Sequence, residues 1–169
     1  YADDVTVSGN TLTGSADEEV YEAGITLASV ISDSGQSVIS GNSVDGFSRG
    51  IRLQRWSAED GFSDDVEILD NTVTNGATND ENYGAESTGV GLFLAGVEKL
   101  LVEGNTITDN GNAGLYVPGV TSDGADNEFD TFLINENIIT GNGNAGIFVD
   151  SVYEEAVLDI TNNIISNNG

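Results

Sequence analysis

Apolar and polar residues alternate along this chain in short runs, and each run leads to an asparagine. Six segments follow the pattern apolar-x-apolar-x-x-Asn-x-apolar, at residues 5–12, 37–44, 66–73, 100–107, 132–139 and 158–165. A second short run follows most copies, usually after a glycine, at residues 24–27, 50–53, 91–94, 114–117 and 146–149. Alternation with a period of two, rich in β-branched residues and bounded by Gly and Asn, predicts strands. No stretch has a convincing helical period.

The strands recur as a repeat. Residues 100–117 align with residues 132–149 without a gap at an offset of 32 residues, and equivalent strands elsewhere lie 26 to 34 residues apart. Tight hairpins need far shorter connections, whereas coils stacked on one another need one strand set per period. The pattern therefore predicts an all-β fold: a single-stranded parallel β-helix (solenoid) of about six coils with inserted loops. We expect residues 1–169 to form one such domain.

An asparagine marks the same turn of each predicted coil. The six are Asn10, Asn42, Asn71, Asn105, Asn137 and Asn163. Stacked amides of this kind can form an inward ladder in which each side chain bonds its neighbours. The alternative is that they are turn residues in the left-handed conformation. Either interpretation gives them a structural role.

These Asn-anchored coils resemble the right-handed parallel β-helix repeats of the pectin-lyase-like superfamily. The resemblance covers essentially the whole chain and implies a right-handed solenoid. It leaves the activity open, because that superfamily includes lyases, hydrolases, epimerases, phage tailspikes and non-enzymatic surface proteins.

The charge of the chain is strongly negative. There are 29 Asp and Glu residues against 4 Lys and Arg and no His, for a net charge of −25. Such a field repels nucleic acid and anionic lipid headgroups, so neither is an expected partner, and no membrane insertion is expected. The acidity indicates either adaptation to high salt or binding of divalent metal. Salt adaptation is favoured, since an excess of charge is usually a solvated surface, and the use of one lysine against three arginines also resembles that of haloarchaeal proteins. We expect an extracellular or cell-surface protein of a halophilic organism.

One acidic loop is the candidate metal site. It offers Asp123, Asp126, Asn127, Glu128 and Asp130 within a short span. Calcium takes six to eight oxygen ligands, and this loop supplies several, although not at EF-hand spacing. The alternative is a solvated acidic loop. Calcium is therefore the one cofactor that the sequence suggests.

The outward positions of the second strands predict a column of side chains. In chain order the column holds Thr26, Arg52, Phe93, Tyr116 and Phe148, and Arg49, Arg55 and Trp56 lie near Arg52. Arg52, Trp56 and the three aromatic residues of the column would bind sugar rings or a protein partner if the row is exposed. The alternative is that a long insertion covers this face and turns it into a second small core.

Candidates for catalysis are few. The resemblance implies that a lyase would combine calcium with carboxylates and a basic residue, and a hydrolase would use clustered carboxylates. Glu67 and Glu103 are weak candidates for an acid/base pair, since they could be diagonal neighbours on adjacent coils. There is no histidine and no nucleophile motif, so no catalytic motif of the superfamily transfers onto this chain.

Three functional classes follow in order of preference. The first is a non-catalytic extracellular module with a structural or adhesive role in a surface protein, fibre or spike. The second is a polysaccharide-binding module, and the third is a polysaccharide lyase or glycoside hydrolase. The sixth copy stops at residues 166–169 without a second strand, so we expect a segment of a longer assembly, or a subunit whose ends stack on copies of itself or on further coils.

Overall fold

A computed structural model describes residues 4–15, 22–28, 36–54, 63–78, 88–119, 131–152 and 156–169. These residues form strands that assemble into three sheets, and every strand pairing within the sheets is parallel. Sheet A contains β1 (Thr6–Ser8), β4 (Gln36–Ser40), β7 (Ser63–Leu69), β10 (Val97–Glu103), β13 (Thr131–Asn135) and β16 (Val157–Thr161). Sheet B contains β2 (Thr11–Thr13), β5 (Ser43–Asp45), β8 (Thr72–Thr74), β11 (Thr106–Thr108), β14 (Ile138–Thr140) and β17 (Ile164–Ser166). Sheet C contains β3 (Ala23–Ala28), β6 (Arg49–Gln54), β9 (Val90–Leu94), β12 (Ala113–Val117) and β15 (Ala145–Val149).

Each coil passes through sheets A, B and C in turn, and the next coil lies on it in parallel register. Within the described residues the sixth coil has strands in sheets A and B only. This arrangement confirms the predicted parallel β-helix. The described part of the chain holds no helix with the length and hydropathy of a membrane span.

The turn between sheets A and B explains the asparagine of the repeat. The residue before each of the six asparagines has a positive φ, between 53° and 68°. Glycine occupies this position in three coils and Asp70, Glu136 and Asn162 occupy it in the others. A left-handed residue bends the chain sharply between sheets A and B, so the following asparagine points into the coil and the next strand starts at once.

The core runs along the axis of the solenoid. Side chains at equivalent positions of successive coils stack on one another. One such row from sheet A contains Ile39, Ile68, Val102 and Ile134, each 0% exposed. A second row from sheet B contains Val44, Val73, Ile107 and Ile139. Full burial of each such side chain stabilises the fold by about 1.5–3 kcal/mol.

Candidate functional site

The six predicted asparagines form one column at the A–B turn, linked by a directional chain of hydrogen bonds. Asn71 donates from Nδ2 to Oδ1 of Asn105 at 3.0 Å, and its backbone N–H donates to the same oxygen at 2.9 Å. Nδ2 of Asn71 also donates to the carbonyl oxygen of Ile39 at 2.9 Å. The other links repeat this geometry, with Nδ2–Oδ1 distances of 2.9 Å. The column therefore satisfies turn N–H and C=O groups that the sheets leave unpaired.

A second ladder lies at the turn between sheets B and C. Asn110 donates from Nδ2 to Oδ1 of Asn142, and Asn142 donates to Oδ1 of Asn168, both at 2.9 Å. At its start the backbone N–H of Gly76 donates to Oδ1 of Asn110 at 3.0 Å. This ladder was not predicted from the sequence. Its signal was present, because each of the three asparagines lies five residues after an asparagine of the first ladder.

The predicted column on sheet C exists in register. Thr26 pairs with Arg52, Arg52 with Phe93, and the three aromatic residues follow one another on β9, β12 and β15. The rings of Phe93 and Tyr116 meet edge to face with centroids 5.5 Å apart. Those of Tyr116 and Phe148 are stacked at 5.2 Å with an interplanar angle of 12°. Ring contacts of this kind add about 0.5–1.5 kcal/mol to the burial energy of each pair.

This column is packed rather than open. Tyr116 is 6% exposed and forms a second apolar cluster with Val90 and Ala113, to which Phe93 and Phe148 contribute as half-buried members. The centre of the row is therefore buried and its two ends are half-buried, and the use of this column to bind a sugar or a partner stays a prediction.

Arginines border the same cluster. The guanidinium carbon of Arg49 lies 4.7 Å from the centroid of the Phe93 ring, and Arg49 is 7% exposed. Arg52 is half-buried in the column itself. Arg55 and Trp56 lie outside the described residues. The buried cation–π contact makes Arg49 part of the packing of this face.

Glu67 and Glu103 both lie on the outer face of sheet A, but each carboxylate has a different hydrogen-bond partner. Glu67 pairs with Leu101 and Glu103 pairs with Leu69, so the carboxylates are diagonal neighbours two positions apart. Oε1 of Glu67 accepts a hydrogen bond from Nε2 of Gln36 at 2.7 Å. Oε2 of Glu103 accepts one from Nδ2 of Asn135 at 3.1 Å. Each carboxylate thus links its own coil to a neighbouring one.

The five residues of the candidate metal loop, from Asp123 to Asp130, lie outside the described residues. Among the residues that the structure does describe, no group of three or more Asp, Glu, His or Cys side chains could hold a metal ion. The calcium site stays a prediction.

Comparison with known proteins gives one match. The sequence profile of a family described as right-handed beta helix region matches residues 3–169, nearly the whole chain. No curated protein and no solved structure matches the chain significantly. The match agrees with the three parallel sheets and carries no information about an activity.

Proposed function

Because this chain belongs to the right-handed β-helix family, we propose that it is a non-catalytic extracellular module with a structural or adhesive role in a surface protein, fibre or spike. The observation that carries this proposal is that buried asparagine side chains hold successive coils together. In the described part of the chain, two ladders of asparagines run along the stack and form hydrogen bonds between successive coils. A solenoid held in this way resists deformation along its axis, which suits a spacer or scaffold.

Several polar side chains on the outer surface also form hydrogen bonds between coils. Oδ1 of Asp45 accepts hydrogen bonds from Oγ1 of Thr74 at 2.9 Å and from Nδ2 of Asn75 at 2.7 Å, both on the next coil. Oδ1 of Asn135 accepts from Oγ1 of Thr161 at 3.0 Å and from Nδ2 of Asn162 at 2.9 Å. The candidate carboxylates Glu67 and Glu103 also bond between coils. These contacts support a structural role for groups that an enzyme would keep free for its substrate.

Exposed apolar side chains on the sixth coil support a role in which a further β-coil stacks on this chain. Ile160 and Ile165 continue the two core rows of the earlier coils, and they are 41% and 47% exposed. A neighbouring β-coil laid on this face would bury both side chains and pair the strand edges of β16 and β17. We include such a neighbour, from a longer β-helix or from a copy of this chain, in the proposed role.

The test of function is incubation of the protein with a panel of neutral and acidic polysaccharides in high salt with calcium. Retention on the polysaccharide and release of oligosaccharides are measured together. The structural role predicts neither, because the two candidate catalytic carboxylates, Glu67 and Glu103, each accept a hydrogen bond from a neighbouring coil. Released products would show an enzyme and overturn the proposal.

The second candidate function is polysaccharide binding at the sheet C column. It is favoured by one observation, which is that half-buried Arg52 lies in register beside Phe93 and could pair with an anionic sugar. Retention without products, lost in Phe148→Ala and kept in Leu133→Ala on sheet A, would select this function. Equal retention by both variants would count against the column.

Salt dependence separates the two explanations of the acidity. With a net charge of −25, repulsion within the folded chain is screened as the Debye length falls from about 10 Å at 0.1 M salt to about 3 Å at 1 M. We expect the free energy of unfolding to rise by about 2 kcal/mol over this range, a shift of roughly 4–8 °C in Tm. Thermal unfolding followed by circular dichroism measures it.

Calcium provides the control for this prediction. Calcium chloride at the same ionic strength should stabilise the protein no more than sodium chloride if screening is the cause. An additional rise in Tm with millimolar calcium, lost when Asp126 and Asp130 are replaced by asparagine, would instead identify a specific metal site.

A further inference from the structure

Four asparagines of this chain directly precede a glycine: Asn75, Asn110, Asn142 and Asn168. Asparagine is a chemically labile residue, and this sequence context makes it more so. The backbone nitrogen of the next residue can attack the side-chain amide carbon, and glycine hinders the attack least because it has no Cβ. The reaction needs an available backbone N–H, a side chain that can rotate into line with it, and water at the site. The fold therefore decides which of these pairs can react.

The second ladder protects two of the pairs. Asn110 and Asn142 are each 1% exposed, and each donates from Nδ2 to Oδ1 of the next asparagine of the ladder at 2.9 Å. The backbone nitrogens that would attack them are also bonded. The N–H groups of Gly111 and Gly143 donate to carbonyl oxygens of the preceding coil at 2.7 Å and 2.8 Å. Reaction at either asparagine therefore requires a buried turn to open.

Asn75 differs because its side chain lies outside the ladder. It is exposed at the turn between sheets B and C of the third coil, with a φ of +55°. Within the described residues its Nδ2 forms one hydrogen bond, of 2.7 Å to Oδ1 of Asp45 at the surface. The N–H of Gly76 donates to Oδ1 of Asn110 at 3.0 Å. One exposed bond and one ladder bond restrain this pair, so a smaller local opening makes it reactive than the buried pairs require.

We propose that Asn75 is a site of spontaneous deamidation, with the backbone nitrogen of Gly76 as the nucleophile. This nitrogen loses its proton to hydroxide and bonds to Cγ of Asn75. The Cγ–Nδ2 bond breaks, and Nδ2 takes a proton from water and leaves as ammonia. A second water molecule then opens the five-membered succinimide ring at either carbonyl carbon. The product at position 75 is aspartate or isoaspartate, and each event consumes one water and releases one ammonia.

The modification changes a contact between the second and third coils. Oδ1 of Asp45 accepts hydrogen bonds from Nδ2 of Asn75 and from Oγ1 of Thr74. A carboxylate at position 75 replaces the first donor with an acceptor of the same charge as Asp45, so the contact becomes repulsive. Isoaspartate in addition lengthens the backbone by one carbon at a left-handed turn. Deamidation therefore loosens the two coils at this turn. The proposal does not depend on the proposed structural role.

The test is incubation of the complete chain in mildly alkaline buffer at high salt, followed by protease digestion and mass spectrometry of the peptides. A second sample is unfolded in guanidinium chloride, where the turns no longer protect any pair. In the folded chain we expect Asn75 to be modified about tenfold faster, or more, than Asn110 and Asn142, because a difference of about 1.4 kcal/mol in opening free energy is a factor of ten. In the unfolded chain the three rates should agree within about threefold. Equal rates in the folded chain, or modification of Asn75 only after unfolding, would overturn the proposal.

Asn167 is the matched control for the reaction. It occupies the position of Asn75 in the sixth coil and is likewise exposed, with a φ of +55°, but it precedes Asn168 and not a glycine. The Cβ of Asn168 hinders attack by its backbone nitrogen, so Asn167 should be modified more slowly than Asn75. Modification of Asn167 as fast as Asn75 would mean that exposure alone sets the rate, and the role assigned to Gly76 would be wrong.

The same two positions test the consequence for stability. Asn75→Asp reproduces one product, and Asn167→Asp adds the same charge at a turn where Thr140 stands in the place of Asp45. We expect Asn75→Asp to lower Tm by about 1–4 °C and Asn167→Asp by about 1 °C or less. Thermal unfolding at a fixed salt concentration measures both. Equal shifts would assign the effect to the net charge of the protein and contradict the proposed loosening at Asp45.

Discussion

Replacing Asn105 with alanine is expected to lower the free energy of unfolding by about 3–5 kcal/mol. Asn105 is 0% exposed in the middle of the first ladder, and its Oδ1 accepts both the backbone N–H and Nδ2 of Asn71. Its own Nδ2 donates to the carbonyl oxygens of Ile68 and Glu103 and to Oδ1 of Asn137. Alanine removes these side-chain bonds at once, and among the groups that lose a partner is the buried backbone N–H of Asn71 on the preceding coil.

The ladder supplies its own control in Asn10. This residue is exposed on the first coil, and its Nδ2 donates to the carbonyl oxygen of Ser8 and to Oδ1 of Asn42. Water can replace these bonds, so Asn10→Ala should cost only about 0.5–1 kcal/mol. Urea unfolding at a fixed salt concentration measures both variants. A loss for Asn105→Ala no larger than that for Asn10→Ala would mean that the ladder adds nothing beyond turn preference.

Replacing Gly114 with alanine is expected to lower the free energy of unfolding by about 3 kcal/mol or more, the upper range for overpacking a core. A Cβ at this position would lie 2.6 Å from Cγ2 of Ile139, 2.7 Å from the carbonyl oxygen of Gly146 and 2.8 Å from Nδ2 of Asn142. All three contacts belong to the next coil. They are a core side chain, a backbone group and a member of the second ladder, so none can move without disturbing its own coil.

Gly41 is the matched control for this substitution. Its φ is +62°, and an added Cβ would meet nothing within 4 Å. Gly41→Ala therefore tests backbone strain alone, which costs about 1–2 kcal/mol for a left-handed alanine. Soluble yield and the urea midpoint are compared for the two variants. If Gly114→Ala is no more destabilising than Gly41→Ala, the coils can separate enough to admit a methyl group, and the packing argument fails.

The two effects share a cause in the geometry of the solenoid. Each coil contacts only its neighbours, so a defect at one coil removes contacts on both of its sides and cannot be compensated elsewhere. Gly50, Gly91 and Gly146 occupy the position of Gly114 in other coils and face the same kind of contact from the following coil. The glycine at the second position of each strand of sheet C is thus required by the close approach of a core side chain from sheet B.

The fold could be predicted from the sequence because its signals are local and repeated. Alternation with a period of two identifies a strand within a few residues, and the recurrence of Asn105 as Asn137 fixes the period of one coil. The second ladder was harder to predict, since only Asn110, Asn142 and Asn168 carry it, while Gly76 and Phe47 stand at the same offset in earlier coils. Because the second ladder repeats in only three coils, its asparagines could not be distinguished by sequence from ordinary turn asparagines.

What the sequence alone determined is therefore the parallel β-helix, the column of six asparagines and the alignment of Arg52, Phe93, Tyr116 and Phe148. Only the tertiary structure decided that Tyr116 is buried, because outward alternation is the same for a covered face and an open one. It also decided that Glu67 bonds to Gln36 and that Asp65 lies beside Lys99. Gln36, Asp65 and Lys99 pair in register although the number of residues from one to the next differs. The register therefore depends on how the loop of each coil closes. Packing between coils sets this closure, and spacing along the chain does not.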